Sequence, residues 1–447
     1  MRNIDINHTE IPDDIKFYNA ITIDKENIAI ERILEKCIDC GLCKTTCQIR
    51  EGIKDICKGK ACVYCGQCIQ ACPVNALVPK NDVFRFKLAL NNKKICIAYT
   101  APAVRVAIGE AFDMPKGEFV QGKLVTVLRK LGFNYVLDVT SGADLTIVEE
   151  AAELVKRIKN NGKLPMFTSC CPSWVKYAET FYPELLPYLS TCKSPISMLG
   201  SIVKEYFCQK LNLDKNNVFT VAITPCTSKK YEVAREELPG TDAVITTKEL
   251  IDLIKLENID FKNLEDGNFD NLLGEGSGAG MIFGNTGGVM EASIRTVYKI
   301  LTNENLSQEK LMYKEVRGLN NVKELKIDIG GIKLNVAVVN QMASAIPLLE
   351  EVKKGISKYH YIEIMNCYGG CIGGGGQPRT TIENEQDVKQ RRMDSLYTKD
   401  QNQKIRLSHQ NQNIVQIYNE FLKEPLSKEA ETLLHTYYID RSSDLKE

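Results

Sequence analysis

A chain of 447 residues, 44% of them apolar, is long enough to bury a large core and to divide into more than one domain. Its 57 Lys and Arg balance 57 Asp and Glu, so net charge gives no reason to expect nucleic acid or an acidic membrane surface as partner. Seventeen cysteines, an odd number mostly in tight clusters, exclude a secreted disulfide framework and point to metal thiolates in a reducing compartment.

The N-terminal MRNIDINHTEIPDD carries acids and no apolar signal core, and no stretch reaches the roughly 18 apolar residues that crossing a bilayer takes. A soluble, cytoplasmic protein with no membrane or nucleic-acid partner is expected. Residues 1–30 hold one short apolar alternation, AITI, and a helix-like IAIERILEK runs on into the first cysteines. These residues are read as a lead-in to a small domain.

From 31 to 80 the chain is cysteine-dense and short of long periodic segments, which suits a fold organised by clusters more than by an apolar core. Cys37, Cys40, Cys43 and Cys47 follow C-x2-C-x2-C-x3-C; Cys62, Cys65, Cys68 and Cys72, followed by Pro73, repeat it. Three thiolates at two-residue intervals reach three corners of a 4Fe-4S cube, and the fourth ligand comes from the other run. One cube is therefore expected on Cys37, Cys40, Cys43 and Cys72, and a second on Cys62, Cys65, Cys68 and Cys47. Zinc sites use two pairs of thiols and have no use for a triplet. Cys57, between the runs, is read as a small buried hydrophobe. Two clusters in series conduct electrons. Neither GNTGG (284–288) nor GGGGQP (373–378) has the G-x-G-x-x-G spacing of a dinucleotide site, so a soluble redox protein, ferredoxin or flavodoxin, is the expected electron partner. Eight basic against five acidic residues in 31–80 would suit an acidic one.

After Pro79 the character changes. KKICIAYTAP (93–102), NVFTVAITPC (217–226), NVAVVN (335–340) and HYIEIMNC (360–367) are short β-branched runs without clean alternation, as expected of strands buried on both faces. ADLTIVEEAAELVKRIKNNG (143–162) reads as an amphipathic helix, with Leu145, Val148, Ala152 and Val155 on its apolar side and Asn161-Gly162 closing it. Strand and helix in alternation predict α/β layers with largely parallel sheets. A body over 81–379 and a polar, helix-prone segment over 380–447 that wraps it complete the expected domains.

Three segments of that body carry the remaining chemistry: TSCCPSW (168–174), TPCTSKKYE (224–232) and MNCYGGCIGGGGQP (365–378). Cys171, Cys226, Cys367 and Cys371 offer four thiols on three loops, the complement of one more cube. Across about residues 95–440 the chain resembles the hydrogenase domain of the FeFe-hydrogenases, and its cysteine-dense segment resembles their two-cluster ferredoxin domain. The resemblance implies a catalytic domain of two α/β lobes around the active-site cluster, a small α+β ferredoxin-like domain and a helical C-terminal wrap. It implies an H-cluster: a cube on Cys171, Cys226 and Cys367, bridged through Cys371 to a two-iron unit bearing carbon monoxide, cyanide and azadithiolate. Lys229 would donate to a cyanide, and Ala101, Pro102, Pro225 and Met365 would complete the cage. Cys170 matches the family's proton-relay thiol, and Glu150, Glu153 and Ser190 match its route to solvent. The implied reaction is 2H+ + 2e− to H2, reversibly, in a protein loaded by maturation proteins. Thr224 departs from the methionine, and Ile196 from the glutamine, common in the family at these places. Scaffold proteins of iron–sulfur assembly share this fold and are the alternative, though they are not expected to keep the relay and cyanide-binding residues. Cys192 is read as an inert small residue, with protection of the site by oxidation or sulfur ligation as its alternative.

Overall fold

A computed structural model describes residues 18–53 and 61–445; Cys57 lies outside them. The β-branched runs form strands: β1 (Ile30–Arg32), β2 (Leu77–Pro79), β3 (Ile95–Thr100), β4 (Tyr135–Asp138), β5 (Met166–Phe167), β6 (Val218–Thr224), β7 (Ala243–Thr246), β8 (Val322–Ile329), β9 (Ile332–Asn340) and β10 (Tyr361–Met365). One sheet has the order β4-β3-β6-β7 and is wholly parallel. The other runs β5-β10-β9-β8, parallel except where β8 returns on β9 as a hairpin. The hairpin turns on Gly330-Gly331, both at positive φ (59° and 86°), as a two-residue turn matching the strand twist requires. Helices separate the parallel strands, so the central ones are covered on both faces: Ile97, Ala98, Tyr99, Val221, Ala222 and Ile223 are all fully buried. These are the α/β layers that the strand and helix alternation predicts, in the two sheets that the family resemblance implies.

Two expectations are corrected. IAIERILEK is not helical: Ile30–Arg32 pairs antiparallel with Leu77–Pro79, and only Leu34–Lys36 makes a single 3-10 turn. Backbone pairing across the small domain outweighs a weak local helix preference. The helix expected from 143 begins at Val139, where the Asp138 carboxylate accepts the Thr140 N–H at 2.8 Å, and it ends at Lys159. It is not amphipathic in its first half. Val139 to Ala151 are buried on every side, Asp144, Glu149 and Glu150 included, while Ala152 is only half-buried. The helices Pro195–Ile202 and Gly288–Thr302 flank it, so this helix is the central pillar of the body.

The C-terminal helices wrap this body. Ile414, Ile417, Leu422 and Leu434 pack in one cluster with Ile196, Leu199 and Ile202. Asp400 of the helix Glu385–Asn402 receives both terminal nitrogens of Arg295 (3.0 and 2.9 Å) and one of Arg406 (2.8 Å), in a buried pin. No helix among the described residues is long and apolar enough to cross a membrane.

Candidate active site

Parallel strands present their carboxyl ends to one side of a sheet, and loops leaving those ends are where α/β folds bind ligands. Four such ends converge here. β3 runs into Ala101 and Pro102, β5 into Thr168 to Cys171, β6 into Pro225 and Cys226, and β10 into Asn366 and Cys367. Between them lies a cavity. The thiols of Cys171, Cys226, Cys367 and Cys371 line it, together with Cys170 and Lys229. Ala101, Pro102, Pro225 and Met365 form its apolar walls, and Thr224 and Ile196 contribute to them. An apolar cavity with four converging thiols fits an inorganic cluster held by thiolates. Burial pushes the Cys226 thiol up to about 12 and the Cys367 thiol well above its usual range, so metal is what would hold these sulfurs as thiolates.

Two smaller cavities repeat the pattern in the cysteine-dense segment. Cys37, Cys40, Cys43 and Cys72 line one; Cys47, Cys62, Cys65 and Cys68 line the other. Each thus gathers three thiols of one run and the last of the other. Backbone amides already aim at these sulfurs: Ile21 N–H at Cys43 (3.3 Å), Ala76 at Cys72 (3.2 Å) and Tyr64 at Cys62 (3.4 Å). The segment docks on the third cavity through close backbone contact. Gly66, at φ +70°, lies so near Gly375 that a Cβ there would stand 3.0 Å from its Cα and 2.5 Å from Thr227 Oγ1. Thr227 and Ser228 donate to Tyr64 and Val63 carbonyls, each at 2.6 Å, and lock the contact.

Lys229 lies on the short helix Ser228–Val233 and is buried. Its ammonium donates to Glu232 Oε2 at 2.6 Å and to the Cys170 carbonyl at 3.2 Å. Burial alone would lower its pKa, but Glu232 outweighs that and holds it above its ordinary value. An ammonium has three hydrogens, so one remains for a group in the cavity. Glu232 is steadied in turn by Ser197 (2.6 Å) and by a short contact from Ser194.

Glu150 and Glu153 share the inner face of the long helix. Glu150 is fully buried and neither oxygen has a partner at hydrogen-bond distance, although the Tyr361 hydroxyl, 3.1 Å from Ser293 Oγ, is close enough to favour its charged form. Burial, and then the neighbouring Glu153, push its pKa well up. Glu153 Oε2 accepts from Ser190 Oγ (2.8 Å) and from the Thr191 N–H (3.0 Å), and its Oε1 accepts from Arg157 at 2.6 Å. Arg157 reaches the Leu189 and Tyr188 carbonyls near the surface. Of the expected proton-route residues, Ser190 and Glu153 are joined by a hydrogen bond, and Glu150 lies near enough to Cys170 and to Glu153 to interact electrostatically with both.

Several residues at the site escaped the sequence reading. Gln67, between Cys65 and Cys68, turns its Nε2 to Cys367 Sγ at 3.2 Å and to the Gly373 carbonyl at 3.1 Å, bridging the second thiol cavity to the third. Glu51 is fully buried beside the second cavity, and burial raises its pKa to about 8. Glu232, Arg157 and Tyr361 complete the shell. The only sequence signal for any of them was position: Gln67 stands inside a ligand run, where its neighbours are fixed by the cluster.

Fold and cavities together define an iron–sulfur protein whose thiolate sites are arranged from a small domain into the junction of two parallel sheets. The chain belongs to the iron-only hydrogenase family. Residues 94–375 match the C-terminal domain of the iron only hydrogenase large subunit, 386–441 the iron hydrogenase small subunit, and 60–78 a 4Fe-4S binding domain. It is 46% identical over 374 residues to iron hydrogenase 1 of Clostridium pasteurianum, covering 82% of this chain and 65% of that one. It is 40% identical over 446 residues to the NADP-reducing hydrogenase subunit HndD of Solidesulfovibrio fructosivorans, covering 92% and 75%. Protein NAR1 of Arabidopsis thaliana is 30% identical over 407 residues, 85% of each chain. Among solved structures, an apo FeFe-hydrogenase from Chlamydomonas reinhardtii superposes with a TM-score of 0.70 at 38% identity, over 79% of this chain and 98% of that one.

Proposed function

We propose that the protein catalyses the reversible oxidation of H2 to two protons and two electrons. The observation that carries this is the meeting of Cys170 and Lys229 with four cysteines around one cavity; Ser190 hydrogen-bonded to Glu153, with Glu150 near both Cys170 and Glu153, supports it. An assembly scaffold needs the four cysteines but has no use for the rest, which favours the enzyme over a role like that of the NAR1-type relatives.

Cys171, Cys226, Cys367 and Cys371 would hold an H-cluster, Cys371 as the bridging thiolate. When bound, that group would supply the redox-active metal and the internal base for heterolytic cleavage of hydrogen. The chain's own residues do the rest. Lys229, fixed by Glu232, keeps one N–H for a charge-assisted hydrogen bond to an anionic ligand. Pro102, Pro225 and Met365 wall the cavity with apolar surface and exclude water. The Cys170 thiol carries a proton at Sγ, Glu150 takes it up, and Ser190 and Glu153 pass it on by their 2.8 Å hydrogen bond. The two cysteine sets of the small domain would hold 4Fe-4S cubes, which would supply the electron path to and from the cavity. The partner is a soluble ferredoxin or flavodoxin, the compartment the cytoplasm, and maturation proteins insert the two-iron unit. Viologen-linked hydrogen evolution and uptake by anaerobically matured protein test the reading; no turnover in a preparation whose two-iron unit is verified would favour the scaffold.

A further inference from the structure

A second cluster of ligand-type side chains lies around Glu153. A carboxylate oxygen of Glu153, the sulfur of Cys192 and a ring nitrogen of His435 all fall within 4.8 Å of one another. They come from three segments: Glu153 from the long helix, Cys192 from the strand-like stretch after Ser190, and His435 from the end of the helix Lys428–Leu434. A backbone bridge between Cys192 and His435 fixes their spacing. Cys192 Sγ lies 3.8 Å from Glu153 Oε2. Across a tetrahedral zinc ion, sulfur and oxygen ligands would be about 3.5 Å apart, close to this pair's spacing, and the ring nitrogen lies within 4.8 Å of both.

The imidazole has an outer partner in place. Glu149 Oε2 meets His435 Nε2 at 3.1 Å and is itself held by the Leu426 N–H (2.9 Å) and the Tyr418 hydroxyl. A carboxylate on Nε2 leaves the lone pair on Nδ1, which now takes the hydroxyl of the exposed Thr191 at 2.8 Å. This carboxylate–imidazole pairing is how proteins orient a histidine toward a metal. A thiolate, an imidazole and a carboxylate together suit Zn2+ and disfavour the all-oxygen preference of Mg2+ and Ca2+.

We propose that Glu153, Cys192 and His435 form an inhibitory zinc site that closes the proton route. The ion enters from the Thr191 side. One proton leaves the Cys192 thiol for solvent as the Zn–S bond forms, and the fourth position is left for water. Glu153 Oε2 is then occupied by metal and no longer exchanges a proton with Ser190. The effect on turnover rests on the relay described above; the binding does not.

The test uses the fully loaded enzyme, freed of stray metal with EDTA, and ZnCl2 as the probe. Zinc per chain is counted after dialysis, zinc-edge X-ray absorption reads the ligands, and hydrogen turnover is followed with cluster absorbance as a control for damage. Expected are one bound zinc with a single sulfur neighbour, turnover falling with occupancy, and recovery on adding EDTA. Cys192→Ser and His435→Gln, which lie outside the relay, should turn over without zinc and lose zinc affinity by at least about tenfold. Equal uptake and equal inhibition in both variants, or bound zinc without sulfur, would overturn the site. Zinc bound through sulfur with turnover unchanged overturns the gating and, with it, the relay through Glu153. No zinc uptake in a protein that Cys170→Ser inactivates overturns the site and leaves the relay standing.

Discussion

Replacing Gln67 with leucine removes one N–H from a sulfur while keeping nearly the same volume. Gln67 is 2% exposed, its Oε1 has no partner to lose, and its Nε2 serves only Cys367 Sγ and the Gly373 carbonyl. A hydrogen bond to a cluster thiolate stabilises the reduced, more negative state more than the oxidised one. Hydrogen bonds to charged groups contribute about 1.5–3 kcal/mol. If one to two of these kcal/mol distinguish the two oxidation states, the cube held by Cys367 drops by roughly 40–85 mV, at about 59 mV per tenfold for one electron. The assay is an electron paramagnetic resonance potentiometric titration of protein carrying its cubes but lacking the two-iron unit, so the readout does not depend on turnover. One cube should move down, and the cube on Cys37, Cys40, Cys43 and Cys72, remote from Gln67, should stay in place. A downward shift in every cube, or in none, would refute this role for Gln67.

Cys170→Ser should lower turnover at least about 100-fold, the lower end of what a positioned acid–base group supplies, with the infrared signature of the loaded cofactor intact; near-normal turnover would remove Cys170 from the proton route. Thr224→Met should change the ratio of hydrogen evolution to uptake rates, because Thr224 is part of the cavity wall; an unaltered ratio would show that this wall position does not set catalytic bias. Burial pulls the Lys193 ammonium down to about 8. Below that pH both folded and unfolded chains carry the proton and the folded one bears its desolvation; between about pH 8 and 10.4 the unfolded chain holds more protons, so stability rises with pH. Lys193→Met should therefore stabilise the protein by up to about 3 kcal/mol at pH 7, with the gain vanishing near pH 10.5. Denaturant unfolding of both proteins across that range measures it, and a gain independent of pH would exclude this cause.

Local pattern accounts for what was legible in the sequence. β3, β6, β9 and β10 were readable because each holds at least four β-branched or apolar residues within a stretch of five, whereas β4, β5 and β7 are two to four residues long and leave too little pattern. β8 was hidden by its charges, because VKELKIDI is an edge strand with one face toward solvent. Cysteine spacing anticipated which thiols the two smaller cavities gather, since a ligand run constrains its own geometry; those of the third, on three separate loops, were indicated by the family resemblance of their segments. The Gln67 contact with Cys367 spans 300 residues, and the nearness of His435 to Glu153 is likewise a product of tertiary packing. The long helix misled in the same way: its buried Glu149 and Glu150 look like a solvent face until its neighbours are in place.

Anaerobic infrared spectroscopy of matured protein, in the carbonyl and cyanide stretching region and with hydrogen admitted to the cell, tests the central claim most directly. Bands in that region that shift under hydrogen are predicted. Their absence, in a protein that carries iron and sulfide and was matured alongside a control hydrogenase that shows them, would contradict the enzyme reading.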